Sequence, residues 1–173
     1  MEEEYELTFL VRSVPKGVLT SRSSEIIDVY IPTSVEHPIV RIRKSGEKYA
    51  ITKKQPVNEG DVSHQIENTI PLTKTEFSAL SKVEGKRIRK IRYYYTESEF
   101  EYEIDVFQDK LLGLVVADVE FSSNEEKSKF KKPDWFLADV TQEDFIAGGM
   151  LCDKSYEDIQ DHLDRFQYRQ IKL

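Results

Sequence analysis

Polar and apolar side chains alternate with a period of two along much of the chain up to about residue 121. This period is typical of β-strands that have one polar and one apolar face. Glycine and proline residues interrupt the alternation and predict turns, for example at Pro15, Gly46, Gly60 and Gly85. The pattern therefore predicts an antiparallel, mainly β body. Candidate strands lie near residues 4–11, 40–43, 48–54, 62–70, 90–95, 100–106 and 118–121.

Helices are predicted to be few and short, which gives a mainly β, α+β fold class. Thr73 and Glu76 form a capping-box pattern that opens a helix extending to about Val83. Such helices are expected to cover one side or end of the sheet. Further helix starts of the same form are predicted at Ser123 with Glu126, for a helix to Phe130, at Thr141 with Asp144, and at Ser155 with Asp158, for a helix to about Tyr168.

The length of the chain favours a single domain. A protein of 173 residues and 20.2 kDa fits one domain of ordinary size. The sequence contains no stretch that resembles a linker between two halves. We expect one domain over residues 1–173, with the sheet at about 2–122 and a helical segment at about 123–173.

The charges on the polar faces are sorted by strand. Glu4 and Glu6 form an acidic pair, whereas Arg41 and Arg43 form a basic pair. Like charges two positions apart repel each other unless opposite charges lie across from them. A closed barrel meets this requirement, because its lumen would take the charged faces and closure would remove exposed edges. A sheet with one solvated face is the alternative.

Composition and charge exclude several classes of protein. The net charge is −7 and the pI about 5.1, whereas proteins that bind duplex nucleic acid are usually basic. No apolar run is long enough for a membrane helix, and we expect no secretory signal. Cys152 is the only cysteine and there are three histidines, which excludes a disulfide framework and a zinc finger. We expect a cytoplasmic protein without membrane association.

A lumen lined in this way would suit a metal-bound polyphosphate. Guanidinium groups match phosphate oxygens two at a time, and clustered carboxylates suit Mg²⁺ or Mn²⁺. Internal salt bridges are the alternative explanation, although desolvation usually cancels their stabilising effect. The predicted lining contains Arg41, Arg43, Lys48, Lys54, Lys90 and Arg92, together with Glu4, Glu6, Glu67, Glu101, Glu103, Asp105, Asp118 and Glu120.

These residues lie in motifs that resemble those of CYTH domains, also called triphosphate tunnel metalloenzymes. Residues 4–11 resemble the E-x-E-x-K motif that opens such domains, and residues 40–43 resemble the R-x-R strand. Residues 133–141 resemble the segment that follows the barrel in the bacterial branch that hydrolyses inorganic tripolyphosphate. The other matches are Ile51–Lys54 for T-x-K, Gln65–Glu67 for E-x-E, Lys90–Arg92 for K-x-R, and Glu103–Phe107 with Asp118–Phe121 for the final hairpin.

The resemblance implies an eight-stranded antiparallel tunnel and triphosphate chemistry that depends on Mg²⁺ or Mn²⁺. The implied catalytic residues are Glu4, Glu6, Thr8, Arg43 and Glu120. The implied substrate-binding residues are Arg41, Arg43, Lys54, Lys90 and Arg92, with Lys54 preferred to Lys53 because it shares a face with Thr52. The implied metal ligands are Glu4, Glu6 and Glu120, with Asp118, Glu67 and Asp105 nearby.

Three positions depart from the family pattern. Thr8 replaces a lysine that is implied to position or deprotonate the attacking water, and a hydroxyl brings no positive charge. Gln65 replaces an acid, and Ser63 stands where arginine is common. With these departures, the motifs support binding of a triphosphate more strongly than its hydrolysis.

The leading hypothesis is metal-dependent hydrolysis of a small triphosphate, most simply inorganic tripolyphosphate. A nucleoside or thiamine triphosphate is also possible as the substrate, and the protein could be a monomer or a homodimer. The alternatives are a triphosphate- or nucleotide-binding module with weak turnover, a CYTH-type adenylyl cyclase, and an acidic β domain that binds another protein.

Overall fold

The computed structural model describes residues 2–173, within which eight strands close into an antiparallel barrel. The strands follow the order β1-β8-β7-β6-β2-β3-β4-β5, and β5 pairs back onto β1. The predicted closed antiparallel barrel is confirmed. The strands are β1 (Glu2–Val11), β2 (Arg22–Ile31), β3 (Val40–Ser45), β4 (Lys48–Asn58), β5 (Asp61–Leu72), β6 (Lys86–Glu97), β7 (Phe100–Phe107), β8 (Val115–Phe121) and the additional strand β9 (Phe136–Asp139).

Strand β1 is shared between two neighbours along one of its edges. Its first half pairs with β5, from Glu2 opposite Glu67 to Tyr5 opposite His64. Its last residues pair with β9, where Phe9 lies opposite Asp139. The sequence pattern does not predict β9. Because β9 continues this edge, it leads the chain after the barrel to one end of the lumen.

Strand β2 is also absent from the sequence prediction. Ile26, Asp28 and Tyr30 share its inner face, whereas Val29 on the outer face is fully buried. Both faces of the strand therefore carry apolar residues, and this hides the period of two that marks the other strands. Strand β2 consequently supplies lumen residues that the sequence pattern does not identify.

The helices are shorter than predicted. The capping boxes at Thr73 and Ser155 are confirmed, and at Ser123 the side chain accepts the predicted bond from the Glu126 amide. The prediction at Thr141 is wrong, because its hydroxyl bonds to Asp139 and a short 3-10 turn follows instead. The helices are α1 (Lys74–Leu80), α2 (Asn124–Lys129), α3 (Gly148–Leu151) and α4 (Tyr156–Asp164). Within the described part of the chain, no helix has the length and apolar character needed to cross a membrane.

One end of the barrel is closed by an apolar cluster. Ile88, Phe107 and Val116 point into this end and are buried against Ile146 and Leu151 from the segment after β9. Burial of such apolar surface stabilises the contact by roughly 25 cal/mol per Å². The C-terminal segment therefore forms the floor of the lumen, and the charged strand positions lie above it.

Gly149 packs closely in this floor. A Cβ atom at this position would lie 2.3 Å from the carbonyl oxygen of Pro38 and 2.8 Å from the His37 ring. We expect Gly149→Ala to lower the free energy of unfolding by about 1–3 kcal/mol, because backbone must move to relieve the overlap. Urea unfolding at pH 7 measures the change, with Lys154→Ala as a control on an exposed position of the same segment. An unchanged free energy for Gly149→Ala would contradict the close packing.

Candidate active site in the barrel lumen

The charged faces of the strands line a cavity of about 410 Å³ inside the barrel. The cavity contains every residue predicted from the sequence for catalysis, substrate binding or metal binding. It also contains Asp28, which the sequence pattern misses. The predicted lumen residues Lys48 and Glu101 are exposed instead. The charged strand residues in the lining are Glu4, Glu6, Asp28, Arg41, Arg43, Lys54, Glu67, Lys90, Arg92, Glu103, Asp105, Asp118 and Glu120.

Three carboxylates converge on one side of the cavity. Glu6 on β1 lies opposite Glu120 on β8, and Glu4 precedes Glu6 by two positions on the same face. Their ligand oxygens all lie within 4.8 Å of one another, which allows them to bind one divalent cation together. We call Glu4, Glu6 and Glu120 the carboxylate triad. The pKa values of Glu4 and Glu120 are raised, mainly by burial and further by the charge of Glu6.

Lys54 partly neutralises the carboxylate triad. Its ammonium forms an ion pair with Glu4 and lies 3.6 Å from both Glu6 Oε2 and Glu67 Oε2. Burial acts to lower the pKa of Lys54, but the charges of Glu6 and Glu4 outweigh it and raise the pKa above its usual value. Lys54 therefore stays charged beside the triad.

Two arginines are each held by an aspartate on the neighbouring strand. Arg43 donates from Nε and Nη2 to the two carboxylate oxygens of Asp28, each at 2.7 Å. Arg92 donates in the same manner to Asp105, again at 2.7 Å for each bond. Asp105 also forms an ion pair with Lys90, whose pKa is lowered mainly by burial. The structure thus engages Asp105 with cations and does not group it with the carboxylate triad.

Arg41 is less constrained than Arg43 on the same strand. Its Nη2 lies 3.6 Å from Glu67 Oε2, and its buried Nε has no hydrogen-bond partner within residues 2–173. A buried donor without a partner is unfavourable. Arg41 is therefore suited to bind an anion in the cavity.

Thr8 contacts Asp118 deep in the lumen. The Thr8 hydroxyl donates a hydrogen bond of 2.8 Å to Asp118 Oδ1, and Arg92 Nη2 lies 3.6 Å from Asp118 Oδ2. Burial and the charges of Glu6 and Asp105 raise the pKa of Asp118 to about 7. Near neutral pH the charge at this position is therefore sensitive to its surroundings.

The lumen carries an excess of negative charge. Within residues 2–173, the strands contribute eight carboxylates to the cavity and five cationic side chains, a formal excess of three negative charges. Glu143 and Asp144 from the turn after β9 add to this excess. A polyphosphate can therefore enter favourably only if further cations accompany it.

Similar proteins include named triphosphatases, although no protein-family model matches the chain. The inorganic triphosphatase of Nitrosomonas europaea is 33% identical over 142 residues, which cover 81% of this chain and 90% of that protein. The inorganic triphosphatase of Acetivibrio thermocellus is 28% identical over 166 residues, 93% of this chain and 100% of that protein. The crystal structure of the inorganic triphosphatase NE1496 matches with a TM-score of 0.63 at 26% identity, covering 88% of this chain and 95% of that one.

The Asp28–Arg43 pair predicts a dependence of stability on acid. Burial acts to raise the pKa of Asp28, but the charge and hydrogen bonds of Arg43 outweigh it and lower the pKa from 3.8 to about 2. The ionised form therefore stabilises the fold above pH 4, by about 2 kcal/mol, and this contribution is lost as the pH falls through the folded pKa.

Urea unfolding of the wild type and Asp28→Asn at pH 7 and pH 3 measures this contribution. We expect the difference in unfolding free energy between the two proteins to be smaller at pH 3. A difference that is equal at both pH values would show that the Asp28 carboxylate does not have a lowered pKa.

Proposed function

Because the chain belongs to the CYTH family of triphosphate tunnel metalloenzymes, we propose that it hydrolyses a small triphosphate, inorganic tripolyphosphate in the first place. The observation that carries the proposal is the meeting of five cationic side chains and the carboxylate triad in one cavity inside the barrel. The relatives named as inorganic triphosphatases support the same substrate class.

The cationic side chains would hold the phosphate oxygens. Within residues 2–173 the buried Nε of Arg41 has no hydrogen-bond partner, and Arg43 keeps three guanidinium N–H groups beyond those bound to Asp28. Arg92 also donates from Nη1 to Glu103, so it keeps two N–H groups beyond its bonds to carboxylates. Lys54 and Lys90 lie in the same cavity. Phosphoryl transfer depends mainly on positioning and charge neutralisation, and this set of side chains provides both.

The carboxylate triad would hold Mg²⁺ or Mn²⁺. Its oxygens are hard ligands, they lie close enough to share one ion, and the excess of negative charge in the lumen favours a divalent cation. Such an ion, when bound, offsets negative charge on phosphate oxygens and on the attacking water. Asp118 and Glu67 lie nearby in the lining and would support a second ion or its water ligands.

Thr8 and Asp118 would orient the attacking water. The water oxygen adds to the terminal phosphorus while the bridging P–O bond breaks, and the products are phosphate, diphosphate and a released proton. The hydroxyl and carboxylate form a hydrogen-bonded pair, so their orientation is fixed before substrate enters. The pair supplies geometry but no positive charge at position 8.

Phosphate release from tripolyphosphate should require added Mg²⁺ or Mn²⁺ and the carboxylate triad. We expect Glu120→Gln to lower the rate by about 100-fold or more, since it removes one preorganised electrostatic contact from the site. A phosphate assay with and without a chelator measures this. Glu101→Gln is the matched control, because Glu101 is an exposed glutamate on β7, outside the cavity. Equal rates for wild type and Glu120→Gln would reject the proposed metal site.

The same assay separates the candidate substrates. Tripolyphosphate, ATP and thiamine triphosphate are each tested with Mg²⁺ and with Mn²⁺. We expect the highest rate with tripolyphosphate. Formation of cyclic AMP from ATP would instead identify an adenylyl cyclase.

Introducing a positive charge at position 8 should raise turnover. In Thr8→Lys the new ammonium would lie beside Asp118, where it can position water and offset developing negative charge. The measurement is kcat for tripolyphosphate, with Thr8→Met as a control of similar length without charge. If kcat does not rise in Thr8→Lys, our account of this position is wrong. Tight binding with negligible turnover in the wild type would favour the binding module.

A further inference from the structure

Asp28 lies in the wall of the cavity, and its carboxylate is bound by Arg43. It lies on β2 directly opposite Arg43 on β3, and it is 1% exposed. Its two oxygens accept bonds from Nε and Nη2 of Arg43. A guanidinium has five N–H groups, so these bonds leave three for a ligand in the cavity that Arg43 lines.

Arg41 on the same strand provides a comparison, because no aspartate binds it within residues 2–173 as Asp28 binds Arg43. It shares the inner face of β3 with Arg43, but its contact to Glu67 is 3.6 Å long. Within residues 2–173 no carboxylate fixes the Arg41 guanidinium as Asp28 fixes that of Arg43, so we expect anion binding to cost Arg41 more side-chain entropy. Arg43 has already lost side-chain freedom on folding, because two short bonds fix the plane of its guanidinium.

The same arrangement recurs on the neighbouring pair of strands. Arg92 on β6 lies directly opposite Asp105 on β7, and the two bonds have the same donors and the same lengths as those of Arg43. Strands β2 and β6 pair with each other, so Arg43 and Arg92, each bound by an aspartate, lie on adjoining parts of the barrel wall. Two copies of one geometry indicate a shared role in orienting guanidinium groups.

We propose that Asp28 is a positioning residue, which holds the guanidinium of Arg43 in the orientation that binds a phosphate group of the substrate. This inference rests on the proposed function. The negative charge of Asp28 weakens the attraction of Arg43 for an anion, so the benefit lies in orientation. Loss of Asp28 should therefore raise KM more than it lowers kcat.

A double-mutant cycle tests this role. Asp28→Asn, Arg43→Gln and the double variant are compared with wild type, by calorimetric Kd for tripolyphosphate with Mg²⁺ and by KM and kcat. We expect Asp28→Asn to weaken binding by about 10-fold, the lower end of the effect of losing a partner that orients a ligand. The double variant should bind no more weakly than Arg43→Gln alone, because Asp28 acts through Arg43.

Controls separate positioning from a merely structural role. Glu25→Gln removes an ion pair with Arg89, 3.3 Å long, from the same strand outside the lumen, and should leave Kd unchanged. All Kd values are measured well below each variant's Tm, so that only folded protein is compared. If Asp28→Asn does not fold, Asp28→Glu keeps the charge but displaces the guanidinium, and it should show the same rise in KM.

The outcomes distinguish this inference from the proposed function. Wild-type protein that neither binds nor hydrolyses tripolyphosphate would reject the proposed function. Wild-type activity together with an unchanged Kd in folded Asp28→Asn, or Asp28→Glu where that variant replaces it, would reject the positioning role. An Asp28→Asn effect that persists in full on top of Arg43→Gln would reject it as well.

Discussion

The lumen depends on cross-strand pairing of buried charges. Thirteen charged strand residues share the cavity within residues 2–173, and burying isolated charges would be strongly unfavourable. The antiparallel register places acids directly opposite bases, as in Asp28 with Arg43 and Asp105 with Arg92. A shift of one residue in either strand pair would turn these side chains to the outer face. The same register therefore sets both the stability of the barrel and the geometry of the site.

The apolar floor and the charged wall divide the lumen into two regions. Ile88, Phe107 and Val116 close one end together with the segment after β9, whereas the carboxylate triad lies above them. The floor excludes water from one side of the charged region, which strengthens electrostatic interactions there. The C-terminal segment thus contributes to the site without supplying a residue to the carboxylate triad.

The sequence predicts a large part of this arrangement because alternation identifies faces. Most inner positions of the seven predicted strands follow from it, including the preference for Lys54 over Lys53, whereas Lys48 and Glu101 at strand ends are exposed. Alternation does not predict β2, since Ile26 and Val29 make both faces apolar, and so it misses Asp28. It also cannot reveal the partner of each carboxylate. Asp105 and Glu120 have the same pattern in the sequence, and only the strand register shows that one binds Arg92 and the other joins the carboxylate triad.

The closed floor also constrains how the products leave. A chain of phosphates in a lumen that is closed at one end can leave only through the open end, by which it entered. The fragment nearer the open end must diffuse out before the fragment nearer Val116, so departure would be ordered. The segment that forms the floor presents apolar side chains together with Glu143 and Asp144, and neither kind of group attracts a phosphate fragment. The arginines and lysines of the wall are therefore the groups that would retain the inner fragment.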